Sequence, residues 1–343
     1  MKAAVVHGAG DLRLDERPDP VPQEGEVLIR VEWGGICGSD LSYVRSGTSG
    51  TATMSHPLAL GHEMAGHIVA CGEGTSPTQL GSPVAVMPAT LPATADPQIA
   101  PHLHPEGRYL GSAAHIPHTD GGFSELLAVR EDQALPLPSH VETKHGALAE
   151  PLAVALHAIR RAEATHGGAL PEGPILINGC GPIGLLILAA LSHRGGHHVI
   201  ASDISADSLS RAARLGAAET VDPRESPLPS DAALCFEASG APAALGTVLS
   251  AARRGGTVVQ VGNLPSAPSP AALGNLVSRE ITWIGSFRFA DEMASAIGLL
   301  ADGLDISPVI SHEFALHDAR QAFDAALDPE TPSAKVMLRM PQR

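Results

Sequence analysis

Four residues of the kinds that bind or work beside a metal ion stand in short motifs. They are Cys37 in Gly35-Ile36-Cys37-Gly38-Ser39-Asp40, His62 and Glu63 in Gly61-His62-Glu63, and Glu150 in Glu150-Pro151-Leu152. One thiolate, one imidazole and one carboxylate make an open zinc set, with water in the fourth place. Zinc there would acidify a bound water or alcohol and polarise a carbonyl. Cys37 and one carboxylate already neutralise Zn²⁺, and a second bound carboxylate would leave the site anionic and a weaker Lewis acid. One of Glu63 and Glu150 is therefore expected to bind directly while the other orients or alternates. Sequence physics alone does not assemble residues so far apart. Read singly, Cys37 is a buried thiol, His62 a core histidine and Glu150 a charge complementing a helix dipole.

A second chemistry-bearing run is Gly179-Cys180-Gly181-Pro182-Ile183-Gly184. It follows an apolar strand pattern and opens a helical one. Glycines there permit a tight turn, backbone approach to a pyrophosphate, and close helix–strand packing at a helix N-terminus. Asp203 ends the next strand, where a carboxylate bonds both ribose hydroxyls and repels a 2′-phosphate. NAD is expected over NADP. Val261, Gly262, Asn263, Phe287 and Arg288 are further candidates for cofactor contact. Arg288 equally suits a substrate carboxylate, through bidentate bonding, and Tyr43 a substrate hydroxyl.

These residues need two kinds of scaffold. Residues 1–145 are rich in Gly and Pro and alternate short β-type runs with turns, as in 26–32, 66–70 and 83–87. Residues 87–118, rich in Pro and His, read as a long surface excursion. Beyond residue 150 strands (175–178, 199–202, 232–236, 257–261) alternate with helical runs (183–194, 205–215, 241–252). That alternation implies βαβ units and a parallel sheet. The run 281–287 is expected as its last, outer strand. Helices near 291–301 and 316–327 and a strand over 334–339 close the chain.

The 343 residues suffice for two domains with cores. Aromatics are only 3%, so those cores must rest on Ala, Val, Leu and Ile. A net charge of -15 argues against a nucleic-acid partner, which needs a basic footprint, and gives no polybasic membrane patch. No signal peptide or membrane span is read. The four cysteines, Cys37, Cys71, Cys180 and Cys235, lie far apart and suggest no disulfide framework, so a cytoplasmic protein is expected.

GICGSD, GHE, EPL and the Gly-rich turn, in this order and spacing, resemble the medium-chain dehydrogenase/reductase family over essentially the whole chain. The resemblance implies an α/β protein: a GroES-like β-rich catalytic domain (1–150), a Rossmann doubly wound parallel-sheet NAD-binding domain (151–287), and a C-terminal return to the catalytic domain (288–343). It implies that Cys37 and His62 bind catalytic zinc. The third position is often Cys in alcohol dehydrogenases and Glu in the sorbitol dehydrogenase branch, as Glu150 is here. The runs 108–113, 117–123 and 285–290 resemble the idonate dehydrogenase group of that branch.

The activity implied is NAD-linked oxidation of a secondary alcohol of a small polyol or sugar acid. Zinc stabilises the alkoxide, Ser39 relays the proton, Glu63 and Glu150 assist, and hydride passes to NAD. The chain departs from the family in three ways. The lobe that usually carries four cysteines for a structural zinc, about 88–108 here, has none, although His102, His104, His115 and His118 lie nearby; one catalytic zinc and no structural zinc are expected, with 90–106 mobile or held only by Pro and neighbours. Ser42 stands where the branch usually has His. Ser208 replaces an Arg that often follows the ribose-binding acid. Alternatives are a zinc-free, NADPH-dependent enone or quinone reductase on the same fold, and a non-catalytic dinucleotide-binding protein. Edge pairing through 281–287, which the family also uses, predicts a homodimer or homotetramer.

Overall fold

A computed structural model describes residues 1–76, 79–265 and 267–341. The chain forms two compact units: residues 1–150 with 293–302 and 310–343, and residues 151–292 with 303–309. Among the described residues, no helix is long and apolar enough to cross a membrane.

The hub of the first unit is the strand Glu26–Gly35. Its burial alternates, with Val27, Ile29 and Val31 inward, as a strand with one face on a core requires. It pairs antiparallel with Glu63–Cys71, Leu126–Arg130 and Lys335–Arg339. Lys335–Arg339 in turn pairs parallel with Ile310–Ala315. The core beneath is aliphatic, as the scarcity of aromatics demands, with Phe123 and Phe323 meeting edge to face at 6.4 Å. A smaller sheet of Lys2–Gly8, Asp11–Glu16 and Leu58–Ala59 leads the chain into Gly61-His62-Glu63.

The excursion 87–118 has more order than its sequence suggests. The strands Ala89–Thr90 and Arg108–Tyr109 pair, and a short turn of helix covers Pro101–Leu103. Between them His104 is 9% exposed, with the backbone N–H of Asp96 aimed at Nε2 (3.1 Å) and that of Glu106 at Nδ1 (3.2 Å). A neutral imidazole accepts at one ring nitrogen only, so one of these bonds forms at a time. The expectation that Pro and neighbours alone hold this stretch is thus corrected: a buried imidazole gathers it.

The second unit holds, among the described residues, a six-stranded parallel sheet ordered Glu219–Val221, Val199–Ser202, Ile175–Asn178, Ala232–Glu237, Ala252–Gln260, Thr282–Gly285. In chain order this is 3-2-1-4-5-6, the doubly wound dinucleotide-binding topology. The central strands are buried throughout, so they read as apolar runs rather than alternation. The structure departs from the sequence reading most at three places. The expected helix over 241–252 begins as a short 3-10 turn, Pro242–Ala244, continues as the helix Leu245–Ala251, and gives way to the strand at Ala252. The three-residue strand Glu219–Val221 is too short and too polar to show in the sequence. The last strand stops at Gly285, because the chain turns before Arg288, whose φ is +51°.

Candidate metal and cofactor sites

The metal-ligand candidates sit at the ends of regular elements. Cys37 is the N-cap of the helix Gly38–Ser46, Glu63 opens the strand Glu63–Cys71 directly after His62, and Glu150 lies in the first turn of the helix Ala149–Thr165. Ligand atoms of Cys37, His62 and Glu63 all lie within 4.8 Å of one another. A soft thiolate, a borderline imidazole and a carboxylate, mostly buried, fit a zinc ion. Glu150 stands outside this group. Its Oε1 accepts the Tyr109 hydroxyl at 2.5 Å, and the Tyr109 ring meets the His62 imidazole edge-on at 5.6 Å.

Asp40 ties the two ligand-bearing segments together. It is fully buried; Oδ2 accepts the Cys37 N–H at 3.0 Å and Oδ1 the Gly61 N–H at 3.3 Å, and Oδ1 is 3.8 Å from His62 Nδ1. The sequence signal was present: an acid three residues after a helix N-cap closes a capping box. For His62, burial disfavours the imidazolium, but the charges of Asp40 and Cys37 outweigh it and push the pKa up to about 10. Metal binding must displace that proton.

Lys335 is the site residue that sequence reasoning missed. It opens the strand Lys335–Arg339 and is 2% exposed; Nζ donates to both carboxylate oxygens of Glu63 at 2.7 Å and to the Ile36 carbonyl at 3.0 Å. Glu63 and Lys335 lie on the two strands flanking Glu26–Gly35, and Gly35 faces Glu63 in register. A Cβ on Gly35 would stand 2.2 Å from Glu63 Oε2 and 3.3 Å from Lys335 Cδ. The bare backbone at Gly35 lets the pair meet across the central strand. Burial holds the Glu63 carboxyl above its usual range, against the pull of Lys335. Burial works against the ammonium too, but Glu63 and Cys37 outweigh it and raise the Lys335 pKa. Lys335 adds a buried positive charge beside the carboxylate of Glu63 that the charge argument from sequence did not include.

In the second unit the Gly-rich turn joins Ile175–Asn178 to the helix Pro182–Arg194. Gly179 has φ +97°, and a Cβ there would meet the Ser239 backbone N at 2.5 Å. A Cβ on Gly184 would sit 1.9 Å from the Gly179 carbonyl, whereas Gly181 has nothing within 4 Å. Two of the glycines thus shape the turn, and the third leaves open backbone at the N-terminus of the helix Pro182–Arg194. Asp203 Oδ2 accepts the Cys180 N–H at 2.7 Å and Oδ1 the Ser205 N–H at 2.8 Å. On the neighbouring strand the fully buried Glu237 accepts the Ser239 N–H at 3.0 Å, and its carbonyl accepts the N–H groups of Val261 and Gly262, fixing the 261–263 turn.

The chain is similar in sequence to known enzymes along its whole length. A model of the alcohol dehydrogenase GroES-like domain matches residues 23–139, and one of the zinc-binding dehydrogenase domain matches 182–302. The NAD(P)⁺-linked L-idonate 5-dehydrogenase of Escherichia coli is 35% identical over 347 residues, covering 98% of each chain. The chain belongs to the zinc-dependent medium-chain dehydrogenase/reductase family, in its sorbitol dehydrogenase branch. It is an oxidoreductase, a zinc-containing alcohol or polyol dehydrogenase. The sorbitol dehydrogenase of Gallus gallus is 33% identical, covering 98% of this chain and 96% of that one. The crystal structure of L-idonate 5-dehydrogenase from Escherichia coli superposes with a TM-score of 0.90 at 32% identity, over 98% of this chain and 97% of that one.

Within this dehydrogenase the remaining expected site residues fall unevenly. Ser39 is half-buried in the first turn of the helix that Cys37 caps. Ser42 donates its hydroxyl to the Gly38 carbonyl at 2.9 Å. Tyr43 is 2% exposed, and its hydroxyl accepts the Ala113 N–H at 3.0 Å, so its position is that of a packed residue. Phe287 is 51% exposed, with the Arg288 guanidinium carbon 5.0 Å from its ring centroid. His115 and His118 engage within the chain: His115 Nε2 meets the Gly107 carbonyl at 2.9 Å, and His118 stacks on His56 with centroids 3.8 Å apart.

Proposed function

We propose that this enzyme oxidises a secondary hydroxyl of a small sugar acid or polyol, an idonate-like sugar acid foremost, with NAD as the hydride acceptor. The observation that supports it most is the convergence of Cys37, His62 and Glu63, whose chemistry fits zinc. These three would hold the metal, which when bound supplies Lewis acidity toward a hydroxyl oxygen. Glu63 is the direct carboxylate ligand. Glu150, whose carboxylate accepts the Tyr109 hydroxyl, is the orienting carboxylate, and Lys335 offsets the extra negative charge. Ser39 takes the proton from the substrate hydroxyl. Ser42 has its own proton committed to Gly38, so the proton leaves Ser39 through ordered water or a ribose hydroxyl. The nucleotide lies on the turn 179–184, and Asp203 shifts from the Cys180 N–H to the ribose hydroxyls, disfavouring a 2′-phosphate. Val261, Gly262, Asn263, Phe287 and Arg288 contribute further contacts to it.

Among the described residues the strand Thr282–Gly285 ends the sheet with no further strand beyond it, which supports a two-fold pair built by joining two such edges. A panel of sugar acids, hexitols, pentitols and vicinal diols with NAD and NADP, followed by NAD(P)H absorbance, tests the proposal. Oxidation of a sugar acid or polyol, with NAD preferred, supports it. Turnover confined to NADPH-dependent enone reduction would refute it.

A further inference from the structure

The segment 286–292, between the strand Thr282–Gly285 and the helix Met293–Ala301, forms no regular element. Yet it holds a demanding conformation. Arg288 has φ +51°, which an L side chain keeps only where its surroundings impose it, and Phe287 beside it is 51% exposed. Something must hold this stretch from behind. Phe289, 3% exposed, anchors it by packing. Its far end is held by Glu292, whose carboxylate is 1% exposed and gathers four donors. Oε2 accepts the N–H groups of Ala290 at 2.7 Å and Asp291 at 3.1 Å. Oε1 faces His157 Nδ1 at 2.9 Å and Arg160 Nη1 at 3.0 Å. Arg160 also pairs with Asp291, and Arg161 Nε donates to the Gly285 carbonyl at 3.2 Å. His157, Arg160 and Arg161 stand at i, i+3 and i+4 on the helix Ala149–Thr165, so one helix face grips both ends of the segment.

We infer that His157, Arg160 and Glu292 form a positioning cluster that sets Phe287 and Arg288 where they meet the nicotinamide nucleotide. The inference rests on the proposed role of Arg288 in cofactor contact. A buried carboxylate held by an imidazole and a guanidinium gives little stability over an apolar replacement of similar volume. What it does give is a fixed direction for the backbone it caps, because four donors converge on two oxygens. His157 is 7% exposed and touches Glu292, not the exposed face of the segment, so its effect passes through the backbone of 290–292.

The test compares Arg288→Ala, His157→Ala, His157→Asn, Arg160→Ala and Glu292→Gln in the full-length enzyme. NADH affinity is read by fluorescence, with KM for NAD, kcat and melting temperature alongside. Arg160 is half-exposed, so its truncation opens no cavity and keeps the test interpretable if a His157 or Glu292 variant folds poorly. The Asn amide nitrogen can replace the Nδ1 donor. Arg288→Ala, His157→Ala and Arg160→Ala are each expected to weaken NADH binding and raise KM for NAD about tenfold, with a smaller change in kcat, as for a misplaced binding group. His157→Asn is expected to restore most of that loss. Parental NADH affinity in His157→Ala and Arg160→Ala, with Arg288→Ala impaired, would overturn the inference while leaving Arg288 in place. Parental affinity in Arg288→Ala would remove the role of Arg288 and the inference with it. Loss in His157→Ala that tracks melting temperature alone, without rescue by Asn, would also overturn it.

Discussion

The two sites of this enzyme are built in opposite ways. The nucleotide turn is contiguous: Gly179, Gly181 and Gly184 act within six residues, mostly through backbone. The metal-ligand group is assembled from Cys37, His62 and Glu63, at the ends of separate elements, and braced by Lys335, 272 positions from Glu63. A contiguous backbone site carries its geometry in local sequence. A side-chain site built across a sheet carries only its residue types, and its geometry arises from register. Perturbing each site sharpens that contrast.

The largest effect is expected in the metal site. Ser39→Ala should lower turnover by roughly 10²–10⁴, the reach of a positioned proton-transfer group, under conditions where a deuterated substrate shows hydride transfer to be limiting. Near-parental turnover there would remove Ser39 from the proton path. Next is the brace. Lys335→Met leaves Glu63 buried without its cation and should destabilise the metal-free enzyme by about 3–5 kcal/mol in denaturant unfolding. An unchanged midpoint would mean that the distant strand contributes nothing to the site.

How far each site could be read from the sequence follows the same division. The alternation of strands and helices after residue 150 gave the parallel sheet, and the spacing from Gly184 to Asp203 marked the proposed ribose carboxylate, because both are local patterns. Val199–Ser202 and the helix after it were visible, while Glu219–Val221 was not, being three residues of an edge with little apolar character. In the first unit a family resemblance named Cys37 and His62, with Glu150 in the third position, since nothing in their spacing joins them; the structure gathers Glu63, the other candidate carboxylate, with Cys37 and His62. Lys335 was invisible: a lone lysine in a closing strand reads as a surface charge, and only the bare Gly35 between the flanking strands turns it inward. Asp40 was quoted in its motif without a role, although its capping-box position held the signal. Tyr43, offered from sequence as a candidate for a substrate hydroxyl, is 2% exposed, a burial that its place in the motif did not signal.

The nucleotide turn should give smaller changes. NAD is expected to exceed NADP in kcat/KM by at least about tenfold, on the order of 1.4 kcal/mol. Asp203→Ala should narrow that gap, and equal use of both by the parent would contradict the reading. Smallest is a pH effect at Glu292. Burial works to raise its pKa, but the hydrogen bonds from His157 and the Ala290 backbone outweigh this and hold it at about 2. A carboxyl depressed in the folded state adds stability that is full above the ordinary glutamate range near 4.5 and is lost as pH falls through about 2. Acid unfolding of Glu292→Gln should therefore depend less steeply on pH between about 4.5 and 2 than that of the parent. Parallel profiles would contradict that.

The central claim is that Cys37, His62 and Glu63 hold the one metal ion on which alcohol oxidation depends. Elemental analysis of the parent and of Cys37→Ser, each with NADH affinity measured on the same sample, tests it most directly. About one zinc per chain in the parent, and loss of that zinc in Cys37→Ser with NADH binding intact, is the result predicted. Zinc near two per chain in the parent, or zinc and full turnover retained by Cys37→Ser, would contradict the account.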